Sequence, residues 1–299
     1  DVARSWLYFG LTRLGIGMLE AADESWSHAE TQWRELGRPL HIHRILLQRS
    51  WISVFRGRFA EAVELVAQAR EFLDQWPRSS WLQYARLDDH LGNIWRADAL
   101  ADMNFDGIGE PTDDLKVSEA RYAASLGVTR VEPGSDQHRS AMAKLEQAAD
   151  LKIPAALAVD SVRYSMTDAD ARWRWAAHVS GRMLASAFAV AWEWENAALV
   201  SELVEYHSAR GTFAHEPLGE GRGWDGGVAT TVLVDTDAEP ALAAGGEPVD
   251  GLTLTTLGPL PALQMDPAGT PVLEHYRLLA QSRYGQTVTS AGPGWSTWP

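Results

Sequence analysis

The sequence predicts a mainly α-helical protein, built as a solenoid of antiparallel helix hairpins with a small, loop-rich α+β segment at its C-terminal end. Apolar residues recur at three- and four-residue steps through the first part of the chain, which is the spacing of one helix face. Residues 211–299 hold 14 of the 25 Gly and 9 of the 14 Pro. Because Gly and Pro interrupt helices, we expect a helical-repeat domain over residues 1–212 and a separate segment over 213–299.

Composition and charge narrow the classes of partner. The 299 residues carry 26 Lys and Arg against 40 Asp and Glu, a net charge of −14. Nucleic acids and anionic membranes attract basic surfaces, so we expect neither as a partner. The chain has no Cys, which excludes disulfides, thiolate zinc sites and cysteine nucleophiles. It shows neither a signal peptide nor an apolar run near the roughly 20 residues that span a bilayer. We therefore expect a cytoplasmic protein and, since no initiator Met is present, a fragment or a processed form.

The clearest pair of helices is predicted over residues 40–56 and 58–76. In the second helix seven apolar positions form one stripe, and Pro77 follows where it cannot continue the helix. Only Gly57 separates the two helices, so the chain must reverse there. The two helices are therefore expected to pack as a hairpin.

The same spacing predicts the other helices of the first part, roughly nine or ten in all. Ser135 is a predicted N-cap, and Thr167 with Asp170 is a predicted capping box. A short turn is expected at Glu195 and Asn196. The remaining predicted helices cover residues 80–101, 114–126, 136–150, 167–194 and 199–207, the last closed by Arg210 and Gly211.

The C-terminal segment is predicted to combine a β-hairpin with one helix. Residues 228–234 and 252–257 are rich in β-branched residues and have the length of strands, with a mobile acidic loop, residues 235–250, between them. The helix is predicted over residues 270–284. Since exposed tryptophan is unfavourable in water, we expect the two Trp residues of the tail, Trp295 and Trp298, to dock on the rest of the chain.

Gly57, Ala62 and Ala69 have the spacing of the turn glycine and the two close-packing small residues of tetratricopeptide repeats, which this stretch resembles. Ser50 and Ser53 stand where that family has a glycine and a tyrosine. The resemblance covers one repeat, and the other helices share only its hairpin arrangement. It implies a tetratricopeptide-like array, a class of protein whose long surfaces bind peptides or partner domains.

A second resemblance lies in residues 187–194 and 199–207, followed by segments 257–261 and 276–284. These resemble the last helices of actinobacterial repeat proteins associated with caspase-like CHAT peptidases. The 23 Arg against three Lys also indicate a GC-rich, actinobacterial genome. The resemblance implies a repeat sensor that holds or regulates a protease in a bacterial conflict or signalling system. That peptidase needs a Cys–His pair, so the resemblance implies its non-catalytic part or a stand-alone partner.

One stretch has the spacing of a calcium-binding loop. Carboxylate or amide oxygens stand at its first, third, fifth, ninth and twelfth positions, with Gly107 at the sixth. Ca²⁺ prefers such oxygens when they converge, and a glycine permits the sharp turn between them. Gly109 and Pro111 depart from the pattern, and the alternative is an acidic loop whose Asp, Asn and Gly form turns. The candidate metal ligands are Asp102, Asn104, Asp106, Glu110 and Asp113.

Other polar patterns are weaker indications of a nucleotide-binding, metal or catalytic site. The glycine-rich stretch 219–227 follows a helix and precedes a strand, the reverse of a nucleotide-binding loop. His41 and His43 point about 200° apart on a helix, which disfavours a shared metal. Asp88, Asp89 and His90 are expected on a solvated helix face. Tryptophans expected to pack between helices are Trp51, Trp76, Trp95, Trp173 and Trp194.

The sequence therefore predicts a non-enzymatic scaffold or sensor for protein–protein interaction. Its acidic helical-repeat surface is expected to bind a partner protein or peptide, with basic segments as the natural ligands. No cofactor is expected apart from the Ca²⁺ of the acidic loop. One alternative is a regulatory part of a caspase-like protease system whose catalytic domain lies elsewhere. Another is an enzyme that uses a buried pair of carboxylates, although neither a GxSxG nor an HExxH motif occurs.

Overall fold

The computed structural model describes residues 2–126, 131–166, 168–208, 261–263, 271–288 and 290–295. These residues form a mainly helical protein of packed helix pairs, which confirms the predicted solenoid-like fold class. The boundary near residue 212 lies outside the described residues and stays a prediction. The helices are α1 (Val2–Gly15), α2 (Leu19–Glu35), α3 (Pro39–Phe55), α4 (Phe59–Asp74), α5 (Trp81–Asp102), α6 (Leu115–Ala123), α7 (Asp136–Ser161), α8 (Ala169–Trp175), α9 (Gly181–Glu193), α10 (Ala197–Ser208) and α11 (Val272–Tyr284); the strands are β1 (Pro261–Leu263) and β2 (Ser290–Trp295).

Neighbouring helices pack in sequence along the chain. Helix α1 packs on α2, α2 on α3, α3 on α4, and α4 on α5. The stack continues through α5 on α7, α7 on α9, and α9 on α10, with α11 lying against α7 and α10. Most helices therefore bury their apolar stripe against helices close to them in the chain, as in helical-repeat proteins, whereas α6 lies against α2.

The first three turns between consecutive helices each contain a glycine with the same conformation. Gly17, Gly37 and Gly57 have positive φ angles of 81°, 59° and 66°, a left-handed conformation that glycine adopts without strain. At each turn the residue after the glycine donates its N–H to the carbonyl five residues earlier. Gly57 is further constrained, since a Cβ there would lie 2.3 Å from the Gly109 carbonyl oxygen. The 20-residue spacing of these glycines marks an internal repeat of the chain.

The repeat unit is a hairpin of 40 residues, so that α1 corresponds to α3 and α2 to α4. Both α2 and α4 use the same four positions to face the core. The matching buried residues are Ala22 with Ala62, Trp26 with Val66, Ala29 with Ala69, and Trp33 with Leu73.

Helix α5 belongs to two apolar clusters. The first apolar cluster comprises buried residues of α1–α4 together with Leu87, Ile94 and Ala97 of α5. The second apolar cluster comprises buried residues of α7–α11, together with Ala85 and Ala99 among others on the opposite side of α5. Helix α5 therefore connects two separate apolar clusters.

Helix α7 is longer than predicted, because it passes through Pro154 and ends at Ser161. A proline in a helix leaves the carbonyl four residues earlier without its N–H donor. Here that carbonyl belongs to Asp150, and Arg283 of α11 donates to it with an Nη1–O distance of 2.5 Å. The residues after Lys152 are all buried, so they show no amphipathic period from which the helix could be predicted.

The helix predicted over residues 167–194 is interrupted. Thr167 lies outside the described residues, and the N-cap is Asp168, whose carboxylate accepts the backbone N–H of Asp170. A π-helical turn, Ala176–Ser180, then separates α8 from α9. The preceding Trp173 is 48% exposed, so the prediction that it packs between helices is wrong, whereas Trp175 is buried. The other four predicted tryptophans pack in the two clusters: Trp51, Trp76, Trp95 and Trp194.

The predicted C-terminal helix is confirmed as α11. Its first two amide groups donate to the carboxylate of Glu202 in α10, and its apolar side lies against α7. Strands β1 and β2 form a parallel pair. The predicted strands 228–234 and 252–257, the loop between them, the side chain of Trp295 and the whole of Trp298 lie outside the described part of the chain.

Candidate functional site

An open groove lies between the α3–α4 turn, the C-terminal end of α5 and the loop that follows α5. Its volume is about 390 Å³, within the usual range of ligand pockets. Its lining includes the apolar side chains of Phe59, Phe105 and Ile108. We call this feature the acidic groove. The charged residues that line it are Asp98, Asp102, Asp106, Glu110 and Arg121.

Backbone contacts hold the loop of the acidic groove against the α3–α4 turn. The Gly109 N–H donates to the Phe55 carbonyl over 2.8 Å. Arg56 Nη2 donates to the Asp113 carbonyl at 3.0 Å, and Arg58 Nε donates to the Pro111 carbonyl at 2.8 Å. Backbone groups of the loop are thus held by the α3–α4 turn and the two arginines beside it.

Lys144 of α7 neutralises one end of the acidic groove. Its Nζ lies 2.6 Å from Asp98 Oδ1 and 2.7 Å from Asp102 Oδ2. Burial raises the pKa of Asp98 in spite of Lys144, and the nearby Asp102 carboxylate adds to the rise. Burial lowers the pKa of Lys144, but its hydrogen bonds to Asp102 and Asp98 outweigh burial and raise it. The lysine is therefore held charged between the two carboxylates.

The five predicted calcium ligands do not converge. Asp106 accepts the Ser125 hydroxyl at 2.7 Å and the Leu126 N–H at 2.9 Å. Asp113 accepts the Glu110 N–H and lies 3.2 Å from Arg121 Nη2. Asp102 is bound to Lys144, and Asn104 is an exposed residue with a φ of 58° that closes the end of α5.

Among the residues that the structure describes, no group of three or more His, Cys, Asp or Glu side chains could hold a metal ion. The carboxylates instead stabilise the loop, as in the alternative of an acidic turn-forming loop. The calcium site stays a prediction without support from this geometry. Glu110 differs from its neighbours, because its exposed carboxylate makes no hydrogen bond or ion pair with any described residue.

The Asp88–Asp89 pair is not on a solvated face, so that prediction is wrong. These residues are only 6% and 8% exposed. Asp88 accepts Arg70 Nη2 at 2.6 Å and the Tyr284 hydroxyl at 2.6 Å. Asp89 Oδ1 lies 2.6 Å from Lys152 Nζ. The pair joins α4, α7 and α11 to α5.

Lys152 is the central cation of this buried network. Its Nζ also donates to the Asp89 carbonyl and to Asn93 Oδ1, so each of its three protons has an acceptor. Burial lowers the pKa of Lys152, and Asp89 opposes that shift. A Cβ at position 92 would lie 2.3 Å from Lys152 Cγ, so Gly92 makes room for the lysine stem. The sequence signal for this network was Lys152, a lysine inside the alanine-rich stretch of α7, together with Gly92 in α5.

The histidines occupy separate environments. His41 stacks on Trp33 with ring centroids 3.9 Å apart, whereas His43 Nδ1 lies 2.8 Å from the Ala69 carbonyl. His90 Nε2 lies 2.7 Å from the Ser50 hydroxyl oxygen. Burial lowers the pKa of His90 to about 3. The expected separation of His41 and His43 is confirmed.

Fold and groove together define a helical-repeat, solenoid-like protein with an acidic surface groove. Comparison of the chain with protein-family models, curated proteins and solved structures gave no match. The resemblance to CHAT-associated repeat proteins therefore stays a prediction. In the described part of the chain, no helix combines the length and apolarity needed to cross a bilayer.

Proposed function

We propose that the chain is a non-enzymatic interaction scaffold that binds a basic segment of a partner protein in the acidic groove. The observation that supports this function is one open groove whose lining combines four carboxylates, Asp98, Asp102, Asp106 and Glu110, with the apolar side chains of Phe59, Phe105 and Ile108. Lysine and arginine combine an apolar stem with a cationic head, and therefore match both parts of such a groove.

Glu110 and Phe105 are the residues that we propose contact the basic side chain. Glu110 has an exposed carboxylate without a described partner, so a cation there displaces no existing ion pair. Phe105 is partly buried and lines the groove, so the methylene groups of a lysine or arginine stem that pack on its ring lose contact with water. A hydrogen bond between charged groups is stronger than one between neutral groups.

Rigidity of the loop supports tight binding. The loop is already held by Phe55, Arg56 and Arg58 before a ligand arrives. A pre-ordered loop loses little conformational entropy on binding, so more of the interaction free energy appears as affinity.

Fluorescence anisotropy with a labelled peptide of alternating Ala and Arg tests this function. We expect Glu110→Gln to weaken binding about fivefold, which corresponds to about 1 kcal/mol for a partly exposed ion pair. Glu71→Gln is the matched control, because Glu71 is an exposed glutamate of α4 and its substitution changes the net charge equally. A peptide of alternating Ala and Gln should not bind.

The proposal is contradicted if Glu110→Gln and Glu71→Gln weaken binding to the same extent. That result would mean that the peptide responds only to the overall negative charge of the chain. Phe105→Ala provides a second readout, since loss of this apolar side chain from the lining should weaken binding without changing the charge.

A further inference from the structure

The carboxylates that line the acidic groove differ in whether they already have partners. Lys144 lies between Asp98 and Asp102. Asp106 accepts hydrogen bonds from a hydroxyl and a backbone N–H just after α6. Of the carboxylates in the lining, only that of Glu110 makes no hydrogen bond or ion pair with a described residue. One negative charge of the groove is therefore available to a ligand without the loss of an existing contact.

The groove also contains a positive charge that is only partly used. Among the described residues of its lining, Arg121 is the only cation. Its side chain is 39% exposed, and its Nη2 lies 3.2 Å from Asp113 Oδ2. Asp113 is the only hydrogen-bond or ion-pair partner of this guanidinium in the described part of the chain, and the buried Nε has none. The guanidinium therefore has N–H groups left for a second carboxylate.

The two available charges lie on neighbouring parts of the groove. Oδ2 of Asp113 accepts the backbone N–H of Glu110 at 2.9 Å and also faces the Arg121 guanidinium. The backbone of residue 110 and the guanidinium thus meet at the same oxygen atom. A ligand that carries a cation and an anion close together matches this arrangement better than one that carries a cation alone.

Helix α6 holds Arg121 in place before a ligand binds. The ring of Tyr122 packs edge-on against Phe55 of α3, with ring centroids 4.7 Å apart. Glu119 Oε1 accepts the N–H of Glu20, near the start of α2, at 2.9 Å. Because the helix is attached on both sides of residue 121, little conformational entropy of its backbone is lost when a ligand contacts the guanidinium.

We propose that the basic segment ends in the acidic groove, with the cationic head of its C-terminal Lys or Arg at Glu110 and its free α-carboxylate at Arg121. This inference rests on the proposed function, which supplies the basic residue. A basic residue at a C-terminus carries both charges, whereas one inside a chain carries only the cation. The hydrogen bond between an arginine and a carboxylate is charge-assisted, so the terminal carboxylate adds affinity that an amide does not.

Fluorescence anisotropy with two labelled peptides tests this inference. Both peptides consist of alternating Ala and Arg, end in Arg and carry the label at a blocked N-terminus; one has a free C-terminal carboxylate and the other a C-terminal amide. We expect the full chain to bind the free-acid peptide about threefold to fivefold more tightly, the range of a partly exposed ion pair. The net charge of −14 alone would favour the amide, which carries one negative charge less.

Substitution of Arg121 identifies the residue that recognises the carboxylate. Arg121→Gln should remove the preference for the free-acid peptide, and Arg121→Lys should keep part of it because the positive charge remains. Arg182→Gln is the matched control, since Arg182 is an exposed arginine of α9 and its substitution changes the net charge equally; it should keep the full preference. Glu110→Gln should weaken both peptides by the same factor. Circular dichroism melting checks that each variant is folded.

The outcomes separate this inference from the proposed function. Equal binding of the two peptides by the unmodified chain overturns the inference and leaves the proposed function standing. A preference that persists in folded Arg121→Gln overturns it too, as does an equal loss of preference in Arg182→Gln. Failure of both peptides to bind contradicts the proposed function and this inference with it.

Discussion

Pro154 shows how one residue determines where another helix docks. The proline removes the donor for the Asp150 carbonyl within α7, and Arg283 of α11 supplies one instead. The neighbouring Tyr284 is anchored to Asp88 of α5 at 2.6 Å. The end of α11 is therefore attached at a point where the hydrogen bonding of α7 is incomplete.

This arrangement predicts that the effects of Arg283 and Pro154 are coupled. Arg283→Met should lower the free energy of unfolding by about 1 kcal/mol, because the Asp150 carbonyl loses its donor. In a Pro154→Ala background the backbone at this position regains an N–H that donates to the Asp150 carbonyl, so Arg283→Met should have a smaller effect. Urea denaturation of the unmodified chain, the two single variants and the double variant measures the coupling.

Arg182→Met, which removes an exposed arginine of α9, controls for the loss of one positive charge. Additive effects of the Arg283 and Pro154 substitutions would show that the two residues act independently.

The limits of sequence reasoning are clearest for single polar residues. The spacing of Asp102, Asp106 and Asp113 matches a calcium loop, but spacing does not reveal that Lys144, Ser125 and Arg121 lie beside these carboxylates. Lys144 lies in α7, Arg121 lies in α6, and Ser125 follows α6. The acidic and exposed character of Glu110 was predictable, whereas its lack of a partner among the described residues required the tertiary structure.

At the scale of whole elements, helices with one buried face were predicted well. Helix α4 has a regular apolar stripe between Gly57 and Pro77, and its observed bounds differ from the prediction by one or two residues. The end of α7 was missed because its residues are buried on all sides and Pro154 resembles a helix breaker. The break after α8 was missed because a π turn leaves no periodic signal of its own. Amphipathic spacing therefore predicts helices that have one buried face. It does not predict helices that are buried on all sides or interrupted by an irregular turn.

The interface of α3, α4 and α5 contains two neutral histidines, the buried His43 and the partly buried His90. The pKa of His90 is lowered to about 3 by burial, with Lys152 and His43 adding to the effect, and burial also lowers the pKa of His43. Ser50 donates to the Leu47 carbonyl, so His90 Nε2–H donates to the Ser50 oxygen. Protonation of either ring in the folded state is therefore unfavourable.

This interface predicts that the protein loses stability on acidification. Below the ordinary histidine pKa near 6.5, the unfolded chain binds a proton at His90 and the folded chain does not until about pH 3. The loss is absent above pH 6.5 and reaches at most about 1.4 kcal/mol per pH unit for each histidine. His90→Gln keeps a donor for Ser50 but does not titrate.

Urea denaturation at pH 7.5 and pH 5 checks this expectation. The unmodified chain should lose about 2 kcal/mol more than His90→Gln over that interval. Parallel losses in the two proteins would show that other groups dominate the pH dependence.

At the scale of the whole molecule, α5 connects the two apolar clusters and also forms one wall of the acidic groove. Its middle is fixed by the buried network around Lys152, and its end carries Asp98 and Asp102 into the groove. The groove is therefore built on a rigid helix that both halves of the core support. Support by this helix suits a binding surface that must keep its shape without a ligand.

Hydrogen–deuterium exchange of the full chain, with and without the peptide of alternating Ala and Arg, tests the proposed function most directly. If the acidic groove binds basic segments, amides of the loop over residues 103–114 gain protection, while those of α1 exchange as before. Protection that appears only elsewhere, or none at a saturating peptide concentration, would contradict the proposal.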